Sequence, residues 1–251
     1  IDKNIIKKII NIASDQNIKN ILEIGSGRGN LTEELYYLNP KNIYAIEKDK
    51  NLAEILKKKF MGSKNIKIIN QDIFDVLKKN KFEKNTIVFG NLPYNISTQI
   101  LASLISTKKW PPWYSVLILM FQKEVADRIL GKSSTKDFGR LAILSNWRLN
   151  IKKHFNISKN CFFPKPKIES TVLSFRPKKD ILKIKNISSI ETVTRILFSS
   201  RRKIIKNNFL KLFNGNKSIA NKLNLTLNER AEQLDKEVFY KIASEYEKLV
   251  N

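Results

Sequence analysis

The sequence predicts an α/β fold, with a parallel sheet covered by helices on both faces, followed by a small all-helical domain. Three observations carry this. Short apolar strand-like segments alternate with helix-length periodic segments through the first half of the chain. The alternation stops after Gly131, and beyond about residue 178 no strand pattern recurs. With 42% hydrophobic residues in 251, the chain can also bury the core that such a sheet requires.

Element by element, "IDKNIIKKIINIA" (1–13) places Ile at 1, 5, 6, 9, 10 and 12, a helical stripe. "NILEIG" (20–25) is an apolar strand ending in glycine, "NLTEELYYL" (30–38) a helix, "NIYAIE" (42–47) a strand and "NLAEILKKKF" (51–60) a helix. "NIKIIN" (65–70) and "TIVFG" (86–90) are the third and fourth strands, with a helix at "TQILASLI" (98–105). "SVLILMF" (115–121) is the fifth strand, and "QKEVADRIL" (122–130) the helix after it. A polar loop (132–140) leads to the apolar helix "LAILSNW" (141–147). Two extended segments, "IKKHF" (151–155) and "STVLSF" (170–175), then flank the Pro-rich "CFFPKPKIE" (161–169). The basic "RPKKD" (176–180) marks a domain boundary, giving 1–178 for the α/β domain and 179–251 for the helical one. In the latter, 190–213 and 229–250 carry helical periodicity.

Lys and Arg number 47 against 23 Asp and Glu, a net charge of +24, and the natural partner of such a chain is a polyanion. No apolar run approaches the roughly 20 residues that span a bilayer, and no signal peptide is visible. A nucleic-acid partner is therefore favoured over a membrane, in the cytoplasm. Cys161 is the single cysteine and His154 the single histidine. That combination excludes an intrachain disulfide, points to a reducing compartment, and cannot supply a zinc site, so no metal is expected. A nucleophilic triad would have to rest on His154, for which an ordinary strand or surface role is favoured. The chemistry is expected to need no titratable group.

"EIGSGRGNLT" (23–32) follows a strand and opens a helix. Gly25, Gly27 and Gly29 permit a tight turn and a close approach of backbone amides to a ligand. Glu47, at the end of the second strand, is placed to accept hydrogen bonds from ribose hydroxyls. Asp72, just past the third strand, is placed to accept from an adenine amino group. Singly, each acid reads equally well as a solvated carboxylate or a helix cap. Three such sites at successive strand ends mark the edge where open α/β sheets bind ligands. NAD and S-adenosylmethionine both fit this spacing. The tight G-x-G-x-G, the Asp after strand three and the turn after strand four favour S-adenosylmethionine, and a dehydrogenase would have only His154 as an imidazole donor.

That fourth turn is "VFGNLPYNIS" (88–97). It carries an amide, a proline and a planar ring, with no acid, base or nucleophile beside them. A sulfonium methyl is already activated, so the protein must mainly hold a nucleophile in line. An adenine exocyclic amine is a poor nucleophile because its lone pair is delocalised into the ring. The Asn91 side-chain oxygen and the Leu92 carbonyl form an acceptor pair for both amine hydrogens, turning the lone pair toward the methyl and stabilising the developing positive charge. Pro93 stiffens the turn and the Tyr94 ring can stack on the base. The plainer reading is a polar turn with a packing Tyr.

Tetrapeptides of the [DNS]-P-P-[YFW] type mark amino-group methyltransferases, and "NLPYNIS" resembles the version in the ribosomal RNA adenine dimethyltransferases. The likeness extends through "DKNIIKKI", "LEIGSGRGNLT", "AIEKD", "QDIFD", "GNLPYNIST", "MFQKEVADRI", "FGRLAIL", "FFPKPKIESTVLSF" and "FSSRRKIIKNN", nearly the whole chain. Leu92, "FGRLAIL" and "SSRRK" match the small-subunit branch better than the large-subunit resistance branch. The resemblance implies a Rossmann-like S-adenosylmethionine-dependent methyltransferase domain with a small C-terminal helical domain. It further implies conversion of two adjacent adenosines near the 3′ end of small-subunit (16S) rRNA to N6,N6-dimethyladenosine, with a part in small-subunit biogenesis.

Carried over residue by residue, Gly25, Glu47, Asp72 and Asn91 match the family's cofactor contacts, with Gly27, Lys48 and Ile73 completing the set. Asn91 and Tyr94 match its target-adenine contacts, and Phe162 of F-x-P-x-P matches a second aromatic on the flipped base. Phe163 is expected to pack inward. The family's Q-N-F-L segment, which precedes "DKN" and contributes to the cofactor pocket, has no counterpart in this sequence, so a missing N-terminal arm is expected. Lys165 and Lys167 suit flanking phosphates. Arg201, Arg202, Lys203 and Lys206, read as lying on one helix, form a phosphate-tracking patch. Target choice is expected to come from the shape of an immature 30S subunit, engaged by a monomer. The alternatives are a large-subunit (23S) rRNA methylase conferring resistance, an adenine-specific DNA methylase, or a mainly non-catalytic assembly factor; the intact "GNLPYN", Glu47 and Asp72 argue against the last.

Overall fold

The computed structural model describes residues 2–79, 82–107, 109–163 and 165–250. Ile1 of the first helical stripe and Pro164 of the Pro-rich turn lie outside them.

One seven-stranded sheet organises the first compact unit, with strand order β3-β2-β1-β4-β5-β7-β6. β1 (Asn20–Ile24), β2 (Asn42–Ile46), β3 (Ile66–Ile69), β4 (Thr86–Asn91) and β5 (Tyr114–Gln122) run parallel. Every residue of β1 and all but the last of β4 are buried. Burial on both faces is why these segments read as continuous apolar runs instead of alternating ones. The parallel sheet expected from the alternation is extended by two further strands. The segments on either side of the Pro-rich turn become β6 (Leu149–Ile157) and β7 (Ser170–Pro177), and β7 pairs antiparallel with β5.

The chain builds β1, β2 and β3 outward in one direction, then returns to lay β4 on the other side of β1. That reversal leaves a crevice at the carboxyl ends of β1 and β4, the place where such sheets bind ligands. The connecting helices are α2 (Asn30–Tyr36), α3 (Lys50–Lys59), α4 (Ile73–Lys79), α5 (Ser97–Ile105) and α6 (Lys123–Leu130). Periodicity does not announce α4: it is seven residues long, with only Ile73 and Val76 buried. α1 (Lys3–Asn11) precedes the sheet and is capped by Asp2, whose carboxylate accepts from the Asn4 N–H at 2.8 Å. Its Ile6, Ile9 and Ile10 pack with Leu35, Phe89 and Ile118 in the core.

The compact units are residues 1–126 with 150–177, and residues 127–149 with 178–251. The second unit thus takes in a segment, 127–149, that the sequence assigns to the first. It holds α7 (Arg140–Arg148), α8 (Ile187–Leu197), α9 (Lys206–Leu212), α10 (Ser218–Lys222) and α11 (Lys236–Val250). Physical ties explain the regrouping. The Tyr240 hydroxyl donates to the Ile143 carbonyl at 2.7 Å, the Trp147 indole donates to the Leu182 carbonyl at 3.1 Å, and Phe138 packs edge-on against Phe198 and Phe239. The two long periodic stretches prove shorter as helices. Residues 198–205 form a 3₁₀ turn and loop, with Ile204 bridged to Arg230, and 229–235 are turn.

Candidate active site

A cavity of about 430 Å³ opens at the carboxyl ends of β1, β2 and β4. Its lining gathers Gly25, Glu47, Lys48, Asp72, Ile73, Asn91, Leu92, Pro93, Tyr94 and Phe162, ten residues singled out from sequence on different elements. The glycine loop is tied to β2 by backbone. The Gly25 and Ser26 N–H groups both donate to the Ile46 carbonyl, at 2.9 and 3.1 Å. Gly25 has φ of +74°, and a Cβ there would come within 3.3 Å of the Asn91 carbonyl oxygen. Glycine therefore serves both the turn and the close approach of two strand ends.

Glu47, 9% exposed, caps the end of β2. Its Oε2 accepts from the Gly27 N–H at 2.8 Å and its Oε1 from the Asp49 N–H at 2.9 Å. Gly27 is absent from the cavity wall and reaches the site through this bond. Asp72 accepts from the Phe74 N–H at 2.9 Å, starting α4, and pairs with Lys48 Nζ at 2.9 Å. The backbone bond first, then the Lys48 ammonium, hold its carboxyl below the usual range. Behind the loop, Glu23 is buried beneath the site. Its carboxylate accepts from the Thr32 hydroxyl at 2.6 Å, and burial pushes it up to about 7.

At the tip of β4 Asn91 lines the cavity, and its side-chain amide makes no hydrogen bond among the described residues. Leu92 buries its side chain to 2% exposure, anchoring the turn. The Tyr94 hydroxyl lies 2.9 Å from Ser170 Oγ at the start of β7, which fixes one edge of the ring beside the cavity. Sequence reasoning misses Ser170, as it misses Gln71, Ile96 and Ile100 in the wall. A serine closing a Pro-rich turn carries no local signal that its partner lies on another strand.

The adjacent aromatics divide in an unexpected way. Phe162 is half-buried and packs on the core cluster while lining the cavity. Phe163 is 98% exposed at the same mouth, correcting the expectation that it packs inward. Strand-like alternation reverses the faces of neighbours, and Phe162 takes the inner one. Lys165 and Lys167 are exposed on this loop.

Arg201, Arg202 and Lys203 do not lie on a helix: they occupy the turn before α9, which Lys206 begins. Arg201 is committed to structure. Its Nε pairs with Glu232 Oε2 at 2.7 Å, and Nη2 donates to the carbonyls of Thr135, Lys136 and Phe138. Arg202, Lys203 and Lys206 are exposed. Among the described residues no group of three or more His, Cys, Asp or Glu side chains is placed to hold a metal ion. Among them, too, no helix is long and apolar enough to cross a membrane.

Chemically, the cavity offers acceptors on two carboxylates, an unpaired amide, apolar walls from Ile24, Ile46 and Ile73, and rings at the mouth. That set of acceptors fits an adenosyl group, whose ribose hydroxyls and exocyclic amine both donate, with room beside it for a planar base.

The family model "Ribosomal RNA adenine dimethylase" matches residues 1–248. A protein of Pelagibacter ubique named "Ribosomal RNA small subunit methyltransferase A" is 45% identical over 249 residues, covering 99% of this chain and 94% of its own. One of the same name from Wolbachia sp. subsp. Drosophila simulans is 36% identical, covering 98% and 90%. Among solved structures, a dimethyladenosine transferase from Plasmodium falciparum aligns over 98% of this chain and 96% of its own, with TM-score 0.80 and 28% identity. The 23S rRNA methyltransferase ErmE aligns over 98% of each chain with TM-score 0.68 and 21% identity, a likeness of fold.

Proposed function

Because the chain belongs to the ribosomal RNA adenine dimethylase family, we propose that its cavity presents a flipped-out adenosine of small-subunit rRNA to S-adenosylmethionine. The chain is a methyltransferase of small-subunit ribosomal RNA that uses this cofactor. The two adenosines modified are adjacent and near the 3′ end of the RNA, and the working substrate is an immature 30S subunit. The observation that carries the assignment is the gathering of Gly25, Glu47, Asp72, Asn91, Tyr94 and Phe162 around one cavity.

When bound, S-adenosylmethionine supplies an electrophilic methyl group on positive sulfur. Glu47 would receive the ribose hydroxyls on lone pairs left by its two backbone bonds, and Asp72 would receive the adenine amine. Gly25 lets the backbone close on the ligand, Gly27 steadies Glu47, and Lys48 and Ile73 complete the adenine side. Asn91 accepts one hydrogen of the target amine through its unpaired side-chain oxygen, and the Leu92 carbonyl accepts the other. Two acceptors on one NH₂ orient the nitrogen lone pair and stabilise positive charge as it forms there, and the methylated nitrogen then releases its proton to water, so no protein base is needed. The Tyr94 ring, held by Ser170, stacks on one face of the target base and Phe162 on the other, offsetting a flipping cost of a few kcal/mol by about 1–3 kcal/mol per ring. Lys165 and Lys167 meet the flanking phosphates.

Support for the small-subunit target over a large-subunit one lies in the relatives' names, since the resemblance to ErmE is confined to fold. Tritium transfer from S-adenosylmethionine tests the reading. Label is expected in under-methylated small subunits and little in naked large-subunit RNA or duplex DNA; the reverse pattern sinks it.

A further inference from the structure

A second cavity in the same unit, of about 670 Å³, shares no lining residue with the first. α1 and the turn after it contribute Lys8 and Asp15, the edge strand β6 contributes Lys152 and His154, and β7 contributes Ser174 and Arg176. Three cations thus face one acid, and that acid is taken. Arg176 Nη2 donates to both oxygens of Asp15, at 2.9 and 3.1 Å. Among the described residues, Lys8 and Lys152 have no carboxylate partner. Uncompensated ammonium groups around a concavity focus a positive potential in it. His154 registers that potential. Its Nε2 lies 2.7 Å from Ser174 Oγ, and its imidazole is held below the usual range by burial first, then by the charges of Lys152 and Arg176.

We propose that this cavity is a second RNA-binding site, taking a backbone phosphodiester of the substrate strand between Lys8, Lys152 and Arg176. The inference rests on the rRNA substrate of the preceding subsection. A free phosphate would use only the cations, whereas the walls also carry Phe155 and Ile151 beside the amides of Asn11 and Asn150, surfaces suited to a sugar and base. The cavity lies away from the transfer site: Ser174 pairs in register with Ile118, and Ile118 with Phe89, below the Asn91 tip of β4. It therefore adds grip on the RNA without touching the reacting atoms.

His154 is the only histidine in the chain, so its ring-proton NMR line reports on this cavity alone. The whole chain would be titrated over pH with saturating single-stranded RNA, with inorganic phosphate at matched phosphate concentration, and with neither. RNA is expected to raise the midpoint, because a nearby phosphate favours the imidazolium. Lys8→Ala with Lys152→Ala, both at exposed positions, should remove that rise. The same pair should raise KM for immature subunits several-fold with kcat unchanged, and lower the salt slope of binding by about 0.7 for each phosphate no longer neutralised. An unmoved midpoint, a rise that survives the double variant, or a response to inorganic phosphate alone would each overturn the proposal. Failure of the wild-type protein to methylate small-subunit rRNA would overturn the substrate reading instead, leaving the histidine measurement to judge the cavity.

Discussion

The Gly27 N–H donates to Glu47 Oε2 at 2.8 Å, so the glycine turn after β1 and the acid ending β2 hold each other. Glu47 thus shapes the glycine loop, besides the ligand role proposed for it. Glu47→Ala should weaken S-adenosylmethionine by roughly the 1.5–3 kcal/mol of a charged hydrogen bond, read by calorimetry. Glu47→Gln, which keeps one acceptor, should fall between. Wild-type affinity in the alanine variant would take Glu47 out of the site.

Asn91→Ala removes, from a residue lining the cavity, an amide with no hydrogen-bond partner among the described residues. Methyl transfer should drop by about 10²-fold or more, the scale of losing one donor or acceptor aimed at developing charge, while subunit binding stays nearly intact. Equal loss of both would refute the role given to the amide.

Glu23 sets a pH dependence on stability. Its buried carboxyl titrates near 7 in the folded chain against 4.5 ordinarily, chiefly through burial, with the Thr32 hydroxyl opposing and the Glu47 charge adding. Between those values the folded state holds the extra proton. The favourable contribution is full below about pH 4.5 and is lost as pH rises through about 7. Glu23→Gln should flatten that window, gaining on wild type by at most roughly 3 kcal/mol at pH 8. Urea midpoints at pH 5 and 8 would reveal it, and parallel curves for the two proteins would contradict it.

Gly29, with φ of +77°, stands where a Cβ would meet Leu56 Cδ2 at 2.7 Å and the Phe60 ring at 3.0 Å. Gly29→Ala should cost about 1–3 kcal/mol by crowding α3 and by the left-handed backbone, lowering the urea midpoint. An unchanged midpoint would mean that α3 yields freely.

Arg201 and its neighbour Arg202 should separate in mutagenesis. Arg201→Ala breaks an ion pair and three bonds to carbonyls, so thermal stability should fall. Arg202→Glu with Lys203→Glu should spare stability and reduce the salt slope of RNA binding, by about 0.7 for each phosphate that goes unmatched. Identical behaviour of Arg201 and the exposed pair would refute the division.

The cavity is legible because its residues sit at strand ends, and strands such as β1 and β4, buried on both faces, announce themselves as apolar runs. Where partners are distant in sequence, legibility fails. Nothing local in "IKKHF" or "STVLSF" says that they complete the sheet, and nothing near Ser170 names Tyr94. α4 is hidden because its seven residues bury only Ile73 and Val76, too few to draw a stripe, although Asp72 admits a helix-cap reading. Around Arg201 the apolar spacing continues through Phe198 and Ile205, but the backbone between them makes a 3₁₀ turn and bridges Ile204 to Arg230, so periodicity carries past the true helix end. Phe162 and Phe163 are chemically equal, and only packing decides which faces inward.

The regrouping of 127–149 bears on how the polypeptide can be shortened. Removing everything past residue 178 takes away Tyr240 from Ile143, Leu182 from Trp147, and both rings that shelter Phe138. What is left would be a catalytic half dragging an uncovered greasy segment, prone to clump, and trimming at the obvious basic linker would discard more than it isolates.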